Sequence, residues 1–393
     1  MKPCRTVSIC VPVLLLLIFL GVANCFADDG DPVAIRQWKD GGITIETMWD
    51  LKIGFSVKGN DEVGSPVDYH IEEMKSGEMA VLSRAPNVSE VSLRSVSQRA
   101  GSRSNNEVLI SVGKPRAVVT IDEKVSVQMF LEVPDDEFLK AVKLHGSSDV
   151  IPNDLRVVLI AKGEEFTEEV CVKIIDSFAP QVLIVDGLEK VGDQEVEKIA
   201  HNTLAVSSQG ERRKKTRIVS LGDAPYEMSD ELKELFEKKE KSQAATRELF
   251  ASLSTEQMNF QPSNGSHTPR WNAEHMMGRE LIFFSQIYNA VDPSIPVMDL
   301  NPKQMPKDYK FAHEDWTGEE EARQIERVQK FTRRFAYLLD GMDLDKKAKG
   351  SRFWTPRALL KQMDRHYNEH SANVRKKMKL DEWPKTETQS KKD

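Results

Sequence analysis

The stretch DRHYNEHSANVRKKM, residues 364–378, holds His366 and His370 four residues apart, in a 393-residue chain with only eight histidines. On a helix, that spacing puts two side chains one turn apart on the same face. Two imidazoles so placed can share one divalent ion. At 100° per residue, Leu359, Met363, His366, His370 and Val374 fall within an arc of roughly 60°. Leu360, Tyr367 and Met378 widen the same face, with Tyr367 read as core. Both histidines therefore point inward with the apolar residues. A buried imidazole without a partner costs on the order of a few kcal/mol. A metal would satisfy the pair, and so would hydrogen bonds to neighbours such as Asp364 and Glu369. Bundle cores commonly build metal sites from facing helices, and for two histidines at this spacing the metal is the favoured reading.

Two ligands make a poor site, so a third must come from another element. PRWNAEHMMGRELIFF offers His275. A helical wheel places His275 off the centre of the face formed by Met277, Leu281, Phe284 and Tyr288, with Glu280 nearer that centre. Glu280 is thus the alternative third ligand, and His313 is a remoter one. Three protein ligands leave room for water, whose pKa can fall towards about 7 on such an ion, or for a thiol held as thiolate. Arg279 and Arg365 could meet an anionic group on a substrate, although surface salt bridging is the ordinary reading of such arginines.

The elements that must position these residues read as helices from Ser229 onward. One runs from about Ser229 to Ser252, with Leu232, Leu235, Phe236, Leu249 and Phe250 on its apolar side. A second runs from about Asn272 to Ala290, followed by a long proline-bearing loop. The third opens on a capping box of Thr317 and Glu320 and can stop at Gly341. The fourth opens with Thr355-Pro356, a cap and a first-turn proline, and runs to about Met378. Four helices in series with one long crossover describe a four-helix bundle.

The preceding half is strand-rich. GGITIETMWDLKIGFSVKG, EVLISVG and RAVVTIDEKVSVQMFLEV alternate as strands between turn residues. LRVVLIA and QVLIVDG are continuous apolar runs of buried strands. Between them Thr167 can cap a helix carrying Val170, Ile174 and Phe178, which Pro180 closes. SSQGERRKKT, with the basic run Arg212–Lys215, reads as exposed linker. The fold class is therefore α+β with two domains: an N-terminal α/β sandwich over residues 28–220 and an all-α four-helix bundle over 221–393.

Residues 1–27 stand apart. Lys2 and Arg5 precede an apolar run ending in small residues, which is a secretory leader cleaved after Ala27. The alternatives are a membrane anchor through residues 9–23 and a lipid-modified Cys25, for which Asn24 is a poor neighbour. Export to the periplasm or the cell exterior is expected, with no stable membrane span after cleavage. Cys4, Cys10 and Cys25 lie in this segment, so the mature chain keeps only Cys171, a small core residue, and neither a disulfide nor a cysteine zinc site can form. A net charge of −7 disfavours nucleic acid as a partner. The glycosylation triplets at Asn87 and Asn264 are too short to carry weight.

The C-terminal half, about residues 229–383, resembles the DinB-like helical bundles, on Trp271 opening the second helix, His275 on that helix, and His366 and His370 on the last. That resemblance implies a metal site of His275, His366 and His370, holding zinc, nickel or another divalent ion. It also implies metal-dependent reactions on a small-molecule substrate, including transfers that use low-molecular-weight thiols. The chain departs from the pattern in one place. The family's second-helix histidine lies about two turns after the tryptophan, where this chain has Arg279, and His275 lies one turn earlier. Export argues against thiol transfer, because such thiols are scarce outside the cytosol.

PNDLRVVLIAKGEEFTEEVCVKIIDSFAPQVLIVDG is similar to the closing section of metallo-β-lactamase-like domains, which implies an αββα sandwich. The H-x-H-x-D-H motif is absent, and His70, His145 and His201 are scattered, with Asp149 in HGSSD a relic at most. The resemblance thus implies a degenerate copy without its metals. A plain α/β domain is the alternative. Two functions follow: a metal-dependent hydrolase or transferase centred on the bundle, or a non-catalytic exported binding or scaffold protein that keeps the bundle fold.

Overall fold

The computed structural model of the chain describes residues 32–38, 42–47, 52–55, 67, 69–73, 79–83, 96–97, 107–113, 115–121, 124–146, 155–207, 215–298 and 314–385. The leader, Asn87, Asp149, the basic run Arg212–Lys214 and His313 lie outside them.

The N-terminal half is built on two sheets. The strands are β1 (Val33–Gln37), β2 (Ile43–Glu46), β3 (Lys52–Phe55), β4 (Tyr69–Glu73), β5 (Met79–Ser83), β6 (Val96–Ser97), β7 (Glu107–Gly113), β8 (Arg116–Ile121), β9 (Val125–Phe130), β10 (Arg156–Ala161), β11 (Val182–Val185), β12 (Lys190–Val191), β13 (Gln194–Glu195), β14 (Glu197–Ile199), β15 (Thr203–Val206) and β16 (Arg217–Leu221). The first sheet has the order β15-β1-β2-β3-β4-β5, and the second β14-β16-β11-β10-β9-β8-β7-β6. Strands β12 and β13 form a separate hairpin.

Alternation decides which core each residue joins. Val158 and Ile160 of β10 turn towards the first sheet, joining Ile35, Ile45, Phe55 and Tyr69 in the core between the sheets. Val157 and Leu159 turn the other way, onto helices α1 (Asp136–Gly146) and α2 (Glu168–Phe178). Thr167 caps α2 and Cys171 is buried beneath it. Burial pushes the Cys171 thiol up to about 11. Strands β9, β10, β11, β16 and β14 run parallel to one another, β9 is antiparallel to β8, and α2 crosses between β10 and β11. Strand β16 places the stretch 208–216 inside this half, between β15 and β16, rather than between two domains, and carries the sheet one residue past 220.

The helical half comprises α3 (Asp230–Ala251), a short α4 (Thr255–Met258), α5 (Pro269–Val291), α6 (Gly318–Arg334), a 3-10 turn (Ala336–Leu339) and α7 (Pro356–Lys377). Helix α3 packs on α6 and α7, and α5 packs on the same two. Helices α5 and α6 run parallel. Near their starts Arg270 Nη1 donates to Glu321 Oε1 (2.7 Å), and near their ends Tyr288 Oη donates to Thr332 O (2.7 Å). Helix α5 starts three residues before the expected Asn272, because Thr268 caps it and Pro269 takes its first turn. Helix α6 stops at Arg334, short of Gly341. The Phe335 N–H turns towards Arg333 O as well as Phe331 O, and the chain tightens into the 3-10 turn.

The two halves share an interface. Ala34 and Ala205, small residues on the outer face of the first sheet, belong to the helical core. Arg334 reaches across to Glu46 Oε1 (2.6 Å) and Thr47 O (3.1 Å). No helix among the described residues is long and apolar enough to cross a membrane.

Candidate metal centre

Helices α5 and α7 bring the three expected histidines together. One ring nitrogen from each of His275, His366 and His370 lies within 4.8 Å of the other two. The ring centroids stand 5.0 Å (His275–His366), 5.1 Å (His275–His370) and 4.5 Å (His366–His370) apart. The Nε2 atoms of His366 and His370 are 3.1 Å apart. Among the described residues this is the one cluster of three or more metal-ligating side chains.

Two of the three rings are oriented by a neighbour outside the cluster. Asn272, buried one turn before Met276, donates from Nδ2 to Thr268 O (2.7 Å). Its Oδ1 therefore faces His370 Nδ1 at 2.7 Å, so His370 carries its proton on Nδ1 and leaves Nε2 as a lone pair. Trp271 lies flat between two imidazoles. Its ring stacks on His267 at 3.7 Å and on His275 at 4.5 Å, with interplanar angles of 6° and 8°. The sequence readily singles out Trp271, but Asn272 and His267 carry no signal beyond lying within a turn of it.

Burial, first of all, holds these imidazoles neutral. It lowers His275 to about 3, helped by the nearby His366, Arg279 and His267. It lowers His366 to about 4, helped by Arg279 and Arg365. It lowers His370 to about 3, helped by His366, His275 and Lys377. Neutral imidazole is the form that binds metal.

A divalent ion fits these residues. The Nδ1 atom of His275 is buried and has no hydrogen-bond partner, an arrangement that hydrogen bonding alone does not explain. Nitrogens sharing an ion at roughly 2.0–2.1 Å stand about 3–3.5 Å apart, as those of His366 and His370 already do. The full set needs a modest contraction from 4.8 Å.

Glu280 is occupied elsewhere. Its Oε1 accepts from Lys239 Nζ (2.5 Å) and Thr332 Oγ1 (2.8 Å), and its Oε2 from Gln243 Nε2 and Tyr367 Oη (both 2.7 Å). Four donors saturate a carboxylate. Glu369 and Asp364 do not satisfy the histidines either: Glu369 faces Arg365 at 3.5 Å, and Asp364 accepts from Ser242 and Asn368. Arg279 lies over the Phe283 ring at 5.8 Å. His70 is buried in β4, and His201 sits 4.3 Å from the Tyr337 ring in the cleft between the halves, both away from this site.

Residues 239–373 match the family model of the DinB superfamily, from Lys239 on α3 to Asn373 on α7, a span that includes all three histidines. No curated protein and no solved structure matches the chain.

Proposed function

We propose that the C-terminal half is a metal-binding bundle of DinB type, in which His275, His366 and His370 hold one divalent ion, zinc or nickel, and that the protein is a metal-dependent hydrolase or transferase. The observation that carries this reading is the meeting of three neutral, mutually adjacent imidazoles. An ion held this way supplies Lewis acidity at an otherwise uncharged site. The chain's own residues do the rest. Asn272 fixes the tautomer of His370, Trp271 fixes the plane of His275, and burial keeps all three rings free of competing protons.

The N-terminal half suits a degenerate metallo-β-lactamase-like sandwich. Two sheets face each other over one core, α1 and α2 cover the outside of the second, and the bundle touches the outside of the first. Its histidines form no cluster among the described residues. In this reading it is a silent partner that seats the bundle, and export through residues 1–27 delivers both halves together.

Metal content by mass spectrometry tests the central claim. The parent, expressed in metal-supplemented medium, should carry close to one divalent ion per chain. The His366→Ala/His370→Ala variant should be folded and metal-free. A metal-free parent would return the histidines to plain core packing and favour a non-catalytic binding role.

A further inference from the structure

His370 borders a cavity of about 460 Å³ at the C-terminal end of α7. Trp271 and Asn272 line it from α5, His370, Asn373, Lys376 and Lys377 from α7, and the loop of Asn264, Gly265 and Ser266 completes it. His370, Asn373 and Lys377 follow one stripe of the helix, at i, i+3 and i+7. Lys377 is only 5% exposed. Its ammonium donates to Asn373 O at 3.3 Å, and among the described residues neither it nor Lys376 has a carboxylate partner. The last turn of a helix favours cations, which accounts for the basic run Arg375–Lys377. It does not account for burying one of those charges in a cavity wall, where an unpaired ammonium is costly.

The opposite wall is held in place. Ser263 donates to Glu382 Oε1 from both its backbone N and its Oγ (2.9 Å each). Gln261 donates to Ser266 O (2.7 Å), and Ser266 N donates to Asn264 Oδ1 (2.9 Å) around Gly265, whose φ of +73° suits glycine. Trp383 packs edge-on against Phe260 at 5.3 Å. Glu382 of the tail is thereby turned onto the loop rather than towards the lysines.

We propose that this cavity binds the acidic end, carboxylate or phosphate, of a small molecule whose other end lies against His370 and Trp271. Lys376 and Lys377 supply the counter-charge and Asn373 a neutral hydrogen-bonding contact. The proposal deepens the metal-centre reading and rests on it for the role of the far end of the bound molecule.

Calorimetric titration of the purified full chain with succinate and with inorganic phosphate, at fixed ionic strength, tests it. Both metal-free and metal-loaded samples are used, with metal content measured on each. The parent should bind at least one of the two acids in both samples, and which one it prefers identifies the acidic group. Lys376→Gln/Lys377→Gln should bind at least tenfold more weakly, Lys376→Arg/Lys377→Arg should retain binding, and Lys379→Gln, off the cavity wall, should match the parent. A parent that binds neither acid would overturn the proposal. So would a double glutamine variant that binds like the parent, or binding that needs the metal and ignores the lysines. Lysine-dependent binding by a chain that takes up no metal would keep the acid site and remove the metal centre.

Discussion

Asn272 Oδ1 meets His370 Nδ1 at 2.7 Å, and the amide's other end is anchored to Thr268 O. One side chain from the first turn of α5 thus dictates which nitrogen of a histidine 98 residues later is free to bind. Partners of this kind typically change metal affinity by about 10–100-fold. Asn272→Ala should weaken zinc binding by that order in a competition titration against a chromophoric chelator. Asn272→Asp, which keeps an acceptor in place, should bind more like the parent. Equal affinity in all three proteins would show that His370 does not depend on Asn272.

The saturated environment of Glu280 gives a second prediction. Lys239 and Glu280 are both fully buried, and removing one member of such a pair costs about 3–5 kcal/mol. Lys239→Met should lower the urea unfolding free energy by that order. Metal content of the folded fraction should not change. Loss of metal from a folded Lys239→Met protein would mean that Glu280 takes part in the site.

Acid should unfold the metal-free protein through the same three histidines. The unfolded chain takes up protons at these positions around pH 6.5, the folded chain only around 4 for His366 and 3 for His275 and His370. Their contribution to stability is thus complete above pH 6.5 and declines as the pH falls towards 3. Between those limits each histidine contributes a slope of about 1.4 kcal/mol per pH unit. Urea midpoints measured from pH 7 to pH 4 should fall more steeply for the parent than for His366→Ala/His370→Ala. Parallel curves would contradict the buried neutral histidines.

Arg334 ties the bundle to the first sheet through Glu46 and Thr47. With both side chains largely buried, Arg334→Ala should weaken the junction by about 3 kcal/mol. Calorimetric scans should then resolve two transitions where the parent shows one. A single unshifted transition would mean that the apolar contact around Ala34 and Ala205 suffices.

The legible parts of the sequence were those written in local periodicity. The spacing of His366 and His370 against Leu359, Met363 and Val374 placed them on the inner face of α7, and caps such as Thr167, Thr317 and Thr355 marked helix starts. His275 was harder to place. A wheel centred on the apolar residues of α5 put it at the rim, and it does lie there, beside Trp271. The rim is where α7 presents its own histidines. Pairings between distant residues left no trace to read. Nothing in the sequence links Lys239 to Glu280, or marks Asn272 as the partner of His370. Strand β14, short and mostly exposed, lacks the alternation that identifies a strand.

The ladder between β1 and β15 has a consequence for the order of assembly. Val33 pairs with Val206, and Ile35 with Leu204, so the first sheet cannot be completed until almost the whole N-terminal half has left the ribosome. Such long-range pairing is slow, whereas each helix of the C-terminal half closes on local contacts. Until β15 arrives, the β1 edge is an open template for another chain. A nascent chain stalled before residue 203 would therefore be prone to aggregate, and a holding chaperone would be needed longest over this stretch.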